Sequence, residues 1–316
     1  MTLQGVGLKK YFPASPGLAV GRPSRWIKAL DGVSVQVAEG ETLGIVGESG
    51  SGKTTLAKLF LLLERPTSGS VLFDGQPTET FRRGDLARYR RAVQAVFQDP
   101  YSSLSPRMRV GDIIAEPIEA HEQVSRQEVR SRVAQLLEFV GLRPDMSRLF
   151  PHEFSGGQRQ RVAIARALRL VVLDEPVSAL DVSIRAHIIS LLEEIQARLA
   201  VSYLFIAHDL AAVAHVSQRI AVMYLGKLVE VADSLELCAS PLHPYTKALF
   251  AASLPSHPDE AREEIVLSGE VPSALNPPRG CSFHPRCPFV MPRCSAEEPL
   301  LCEVSPGRRV ACHLYN

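Results

Sequence analysis

The sequence predicts an α/β protein built on a mainly parallel sheet with helices. Two observations carry this. Short apolar runs alternate with segments of helical period, the pattern of a parallel sheet covered by helices. A glycine-rich loop joins one such run, Leu43-Gly44-Ile45-Val46, to a helix. A third observation adds a separate antiparallel layer: Val33, Val35 and Val37 share one face of a strictly alternating stretch, and residues 3–8 alternate likewise.

The elements follow in order. The helix after the glycine-rich loop is expected from Lys53 to about Leu63. Ser70 to Phe73 reads as a strand entering a tight turn at Asp74-Gly75. Ser125 and Glu128 form a capping box, and Val129, Val133, Leu136, Leu137 and Val140 give its helix an apolar face that stops at Gly141. A further helix starts near Ser155. Leu170 to Leu173 is a short apolar strand, and Ile188, Leu192, Ile195 and Leu199 mark an amphipathic helix. Tyr203 to Ala207 is a strand ending at His208. Ile220 to Tyr224 and Leu228 to Val231 flank a hairpin at Leu225-Gly226-Lys227. After about Pro241 prolines become dense, periodicity fades and cysteines gather. Residues 1–240 are therefore expected as one domain, with a helical subdomain at about 100–165. Residues 241–316 are expected as a small irregular appendage that needs a stabiliser beyond its own core.

Composition bounds the function. The 316 residues are 46% apolar and 22% charged, with a formal net charge of +1. That balance is globular and gives no support to a general nucleic-acid binder, which carries a basic excess. The longest pure apolar runs are stretches such as Leu59 to Leu63, far below the ~18 residues of a membrane span. Met1-Thr2-Leu3-Gln4 has no signal-peptide character. The chain is expected in the cytoplasm, with any membrane contact made through a partner.

Gly47-Glu48-Ser49-Gly50-Ser51-Gly52-Lys53-Thr54 fits the phosphate-loop pattern. Glycines let backbone amides turn inward around phosphates, and the following helix adds its positive end. Lys53 would reach the β- and γ-phosphates, and the Thr54 hydroxyl would ligate Mg²⁺. A glycine-rich turn that only packs a helix onto a sheet is the plain alternative, but strand before and helix after are the context the pattern needs. Leu170 to Leu173 then presents Asp174 and Glu175 at a strand end. Asp174 can hold Mg²⁺ through water, and Glu175 can orient or deprotonate the attacking water.

Ser155-Gly156-Gly157-Gln158-Arg159 resembles the signature of ABC ATPases, with Phe154 where leucine is commoner. The resemblance implies that two ATPase domains pack head to tail, each signature covering the γ-phosphate held by the other. Gln98 looks like the glutamine that contacts Mg²⁺ and water and senses the membrane partner. Asp181, in Ser178-Ala179-Leu180-Asp181, is similar to a residue of the dimer seam. His208 looks like the histidine that contacts the γ-phosphate, and Tyr11 like the aromatic residue that stacks on adenine. On this resemblance Glu175, His208, Gln98 and Lys53 are the catalytic set. ATP contacts are expected at Tyr11, Gly47, Ser49, Gly50, Ser51, Gly52, Lys53, Thr54, Thr55, Gln98 and Asp174, with Mg²⁺ on Thr54, Gln98 and Asp174. Ser155, Gly156, Gly157, Gln158 and Asp181 are expected to face a partner.

Three longer stretches are similar to the oligopeptide/dipeptide (and nickel) importer ATPases: 99–107, 174–183 and His243-Pro244-Tyr245-Thr246-Lys247-Ala248-Leu249. So is Gly280-Cys281-Ser282-Phe283-His284-Pro285-Arg286-Cys287-Pro288. The insertion between Tyr11 and Leu30 resembles that of the second of two ATPase subunits. The family implies a second ATPase subunit, two membrane permeases and, indirectly, a substrate-binding protein, at the cytoplasmic side of the inner membrane. Import of nickel or another small solute, or a regulatory, redox-sensing role with weak hydrolysis, are the alternatives. One departure stands out: Ala163 to Arg169 runs directly into Leu170, roughly one helical turn shorter than the family's link. Either the helix unwinds early or Asp174 and Glu175 shift.

Five of the six cysteines fall between Cys281 and Cys312. Clustered thiols in a cytosolic chain suggest metal ligation or redox chemistry. The spacing is not that of C-x2-C zinc pairs. It resembles tails in which four cysteines hold a [4Fe–4S] cluster, here Cys281, Cys287, Cys294 and Cys312, with Cys302 left out. Zinc, with His284 or His313 as a spare ligand, and reduced thiols without metal stay open.

Overall fold

The computed structural model describes residues 2–14, 25–97, 104–121, 124–166, 170–178, 180–253 and 269–315. Among these the strands are β1 (Leu3–Pro13), β2 (Trp26–Val37), β3 (Thr42–Val46), β4 (Ser68–Phe73), β5 (Gln76–Pro77), β6 (Val93–Phe97), β7 (Leu170–Asp174), β8 (Ser202–Ile206), β9 (Arg219–Tyr224), β10 (Lys227–Asp233), β11 (Cys302–Ser305) and β12 (Arg308–Val310). The chain forms two compact units. One comprises Met1–Val37, Thr42–Glu79 and Ile206–Asn316; the other comprises Ala38–Glu41 and Thr80–Phe205.

In the first unit the alternating N-terminal stretches pair as expected, in an antiparallel layer ordered β2-β1-β4-β5. The register places Leu3 opposite Val37 and Leu8 opposite Val33 on one buried face; residues 3–8 do not alternate regularly, since a shift between Gly5 and Leu8 returns Leu8 to that face and leaves Val6 exposed. A second group of strands runs β11-β12-β10-β9-β3. Every residue of β3 is buried, as its unbroken apolar run demands, and it lies parallel to β9. Leu225 and Gly226, with φ of 44° and 76°, make the two-residue turn that pairs Tyr224 with Lys227. The helix Lys53–Phe60 buries Leu56, Leu59 and Phe60. It ends before the expected Leu63, because Leu62 takes a left-handed φ of 54°.

The tail is less irregular than its composition suggests. β12 hydrogen-bonds to β10, with Val310 opposite Glu230, and β11 pairs with β12. Strands this short show no readable period in sequence. Their attachment is locked by charge. Glu230 is fully buried and accepts from the amides of Leu242 and His243, each at 2.9 Å, and from Arg308 Nη2 at 3.2 Å. Removing the carboxylate leaves two amides unpaired and takes one partner from the Arg308 guanidinium, which keeps Glu236 Oε1 at 2.9 Å and the Ser240 carbonyl. Glu230→Ala is therefore expected to lower stability by about 2–4 kcal/mol, the scale of leaving buried amides unpaired, read as a shifted denaturant midpoint; a loss below about 1 kcal/mol, the worth of a surface pair, would contradict it.

In the second unit β8, β7 and β6 lie side by side, with β6 parallel to β7 from Val93–Leu170 to Phe97–Asp174. The helix Arg126–Phe139 starts where expected: Ser125 Oγ accepts from the Glu128 amide at 3.2 Å, and Val129, Val133 and Leu137 are buried. The helix Val110–His121 packs on this helix and on Gly156–Arg166.

Candidate functional site

The first unit carries the phosphate loop between β3 and the helix Lys53–Phe60. Its glycines are dictated by space as well as conformation. Gly47 has φ of 150°, and a Cβ there would meet the Met223 carbonyl oxygen at 2.2 Å. Gly52 has φ of 108°, and its Cβ would meet the Ala29 carbonyl oxygen at 2.4 Å. Lys53 is only 7% exposed, and its Nζ donates to the carbonyls of Gly47 at 2.7 Å and Glu48 at 2.9 Å. The cation thus sits inside the bowl of its own loop. Ser51 is buried and its carbonyl accepts from the Gly226 amide at 2.9 Å. Ser49, Gly50 and Thr54 are exposed and Thr55 half-buried, so this rim, the buried cation and a helix N-terminus together suit an anion.

Tyr11 lies on β1, where its hydroxyl donates to Asp31 Oδ1 at 2.5 Å. Burial, then the Asp31 carboxylate, pushes the phenol up to about 12. Burial alone would raise Asp31 as well. The Tyr11 hydrogen bond, Lys227 and Lys28 outweigh it and hold that carboxyl below its ordinary value. Lys28 Nζ lies 5.7 Å from the Tyr11 ring centroid. Asp31 was invisible as a partner from sequence. His208 is exposed just beyond β8, and the next residue, Asp209, caps the helix Leu210–Val216 through the amides of Ala211 and Ala212.

The second unit carries the acidic pair and the signature. β7 is buried along its length and ends on Asp174, which is 8% exposed. Glu175 follows at φ of 53°, a left-handed conformation uncommon for a side-chain-bearing residue and of the kind that concentrates at functional sites. The Ser178 hydroxyl donates to the Glu175 carbonyl at 3.0 Å and fixes the turn. Ser155 and Gln158 cap each other: the Gln158 amide donates to Ser155 Oγ at 3.3 Å, and the Ser155 amide to Gln158 Oε1 at 3.0 Å. A Cβ on Gly157 would meet Ile184 Cγ2 at 2.6 Å, so that glycine lets two helices approach. Ser155 is exposed, Gly156 and Gln158 are half-buried, and Asp181 is exposed at the start of the helix Val182–Leu199. Gln98 and the link at 167–169 lie outside the described residues, as do most of the 99–107 stretch, most of the insertion after Tyr11, and Ala179.

The tail cysteines converge. Burial pushes Cys281 up to about 11, and the neighbouring thiols of Cys294, Cys312 and Cys287 add to it. Cys287 and Cys312 are raised mainly by burial, with Cys294 contributing to both. The Cys281 amide donates to the Cys294 carbonyl at 2.8 Å. Cys294 thus adds to the rise at each of the other three thiols expected as ligands, and Cys302 at none of them. No three His, Cys, Asp or Glu residues among those described stand in metal-binding geometry. The thiols are of a chemical type that binds soft metals, but as placed among the described residues they do not form a metal-holding group. His284 Nδ1 and His313 Nε2 are each engaged with a backbone carbonyl, at 2.9 and 3.0 Å.

Comparison with known proteins decides the family. Residues 30–178 match the ABC transporter family, and residues 229–294 match the oligopeptide/dipeptide transporter C-terminal region. The oligopeptide transport ATP-binding protein AppF of Bacillus subtilis is 49% identical over 317 residues, covering 98% of this chain and 96% of that protein. The chain belongs to the ATP-binding proteins of oligopeptide/dipeptide ABC transporters. As such it is an ATP-binding, ATP-hydrolysing subunit. The dipeptide transport ATP-binding protein DppF of Haemophilus influenzae is 45% identical over 314 residues, covering 98% of this chain and 95% of that one. Among solved structures, the dimeric ATP-binding cassette MJ0796 in a post-hydrolysis state with ADP and Pi matches at a TM-score of 0.63 and 27% identity, over 73% of this chain and 98% of that one. No described helix of this ABC ATPase is long and apolar enough to cross a membrane.

Proposed function

We propose that this ABC ATPase energises import of di- or oligopeptides, bound peripherally to two permeases at the cytoplasmic face of the inner membrane. The observation that carries this reading is the near-full-length likeness to peptide-transport ATP-binding proteins, joined to a phosphate loop with Lys53 held in its bowl. We carry the family's roles onto matching residues. Lys53 takes the β- and γ-phosphates. Thr54, Asp174 and Gln98 serve Mg²⁺. Glu175 activates water, His208 contacts the γ-phosphate and Tyr11 stacks on adenine. Ser155, Gly156, Gly157, Gln158 and Asp181 face a second ATPase subunit, and residues 241–316 extend an ATPase domain of residues 1–240. The test is uptake of labelled peptide into vesicles holding the permeases, both ATPases and the binding protein. Uptake should need ATP and vanish in Lys53→Met. Uptake of nickel but not peptide would overturn the substrate class.

The tail reading rests on the resemblance of its cysteine spacing. Cys281, Cys287, Cys294 and Cys312 would hold a [4Fe–4S] cluster, whose role is to tie together a core-poor segment. Anaerobically purified protein is expected to be brown and to bleach when any one of the four is changed to serine. Colourless anaerobic protein with stoichiometric zinc would contradict the assignment.

A further inference from the structure

We propose that Arg286 and Tyr245 are positioning residues of the phosphate loop, which couple the cysteine-bearing loop to ATP affinity by holding Glu48. The inference rests on the ATPase reading and concerns the first unit alone. Glu48 is the second residue of the loop Gly47–Thr54, and every polar part of it is engaged. Its amide donates to the Tyr245 hydroxyl at 2.8 Å. Its carbonyl accepts from Lys53 Nζ at 2.9 Å. Its carboxylate accepts a two-pronged contact from Arg286, Nη1 at 2.8 Å and Nη2 at 3.1 Å.

The Arg286 side chain is 7% exposed and that of Glu48 27%, so the pair is partly shielded from solvent and salt. A planar guanidinium meeting both carboxylate oxygens fixes orientation as well as distance, which a lysine ammonium cannot do. Arg286 belongs to the short turn His284–Arg286, between Cys281 and Cys287. Phe283, on the same loop, is 1% exposed. It meets Tyr224 edge-on at 5.3 Å and Tyr245 at 5.5 Å between ring centroids. Tyr224 and Tyr245 touch at 4.7 Å. An aromatic wall therefore backs both contacts to Glu48.

The physical consequence is preorganisation. The loop binds phosphate with its backbone amides, so its affinity depends on how often those amides face inward. Releasing Glu48 leaves Lys53 and the glycines intact but lets the loop visit other conformations. If the binding form then exists a tenth of the time, the apparent Kd rises about tenfold. Once ATP is bound the loop is restored, so kcat should hold within about twofold. A residue that served only to keep the tail folded would not separate KM from kcat in this way.

The test measures binding of a fluorescent ATP analogue to the full chain, and KM and kcat in the assembled importer. The variants are Glu48→Gln, Arg286→Met, Glu48→Gln/Arg286→Met, Arg286→Lys and Tyr245→Phe. Arg286→Met and Tyr245→Phe should each weaken binding about tenfold, raising KM without a matching fall in kcat. The double variant should bind no more weakly than Arg286→Met alone, since both changes break one contact. Arg286→Lys should recover only part of the loss. Wild-type protein that fails to bind the analogue would sink the ATPase reading itself. Wild-type binding with both Arg286→Met and Tyr245→Phe within twofold, or with fully additive losses in the double variant, would sink the coupling. Should Arg286→Met fail to fold, Tyr245→Phe decides alone, because it removes a single oxygen atom.

Discussion

Glu175→Gln is expected to bind ATP as wild type does and to lose roughly 10²–10⁴-fold in turnover, the usual worth of a general base. The residue sits one position past β7, at φ of 53°, in a turn fixed by Ser178. Such a backbone costs on the order of 1–3 kcal/mol, which the surrounding structure must offset to aim this side chain. Glutamine preserves size and shape but cannot accept a proton from water. ATP should therefore accumulate unhydrolysed, and the closed pair of ATPase subunits should persist as a larger species in size-exclusion chromatography with ATP and Mg²⁺. Turnover within a few-fold of wild type in the assembled complex would remove Glu175 from its proposed role.

The isolated chain should hydrolyse ATP at least about a hundredfold more slowly than the assembled importer, the scale of losing preorganised donors around a developing charge. Ser155 stands exposed at the start of the helix Gly156–Arg166, and Gly156 and Gln158 are half-buried. The amides of Ser155 and Gln158 are held by their reciprocal cap, and the positive end of the helix behind them still favours an anionic ligand. In the proposed assembly that ligand is the nucleotide of the partner ATPase, and Lys53 waits for the partner's signature in return. Light scattering alongside the rate assay checks this. A species of monomer mass that matches the rate of the complex would contradict a composite site.

Much of this account was legible in sequence because it depends on local spacing. The phosphate loop needs glycines where backbone oxygens press in, and Gly47 and Gly52 stand at those points. Ser155 and Gln158, three apart, are a reciprocal cap, and alternating valines set the register of β1 and β2. What stayed hidden depends on pairs distant in the chain. Arg286 meets Glu48 across 238 positions, and Arg308 meets Glu230 across 78. Neither residue carries a local signal naming its partner. β12, three residues long, is too short to announce that it extends a sheet. The choice of four cysteines comes from resemblance alone, and the described residues show no metal-holding group there.

The central claim is that this chain turns ATP hydrolysis into peptide import. Its most direct test is the hydrolysis rate of the reconstituted assembly, compared with empty and with peptide-loaded binding protein. A severalfold rise with loaded binding protein is expected, and Glu175→Gln should abolish it. A rate indifferent to peptide, in vesicles that nonetheless hydrolyse ATP, would contradict it.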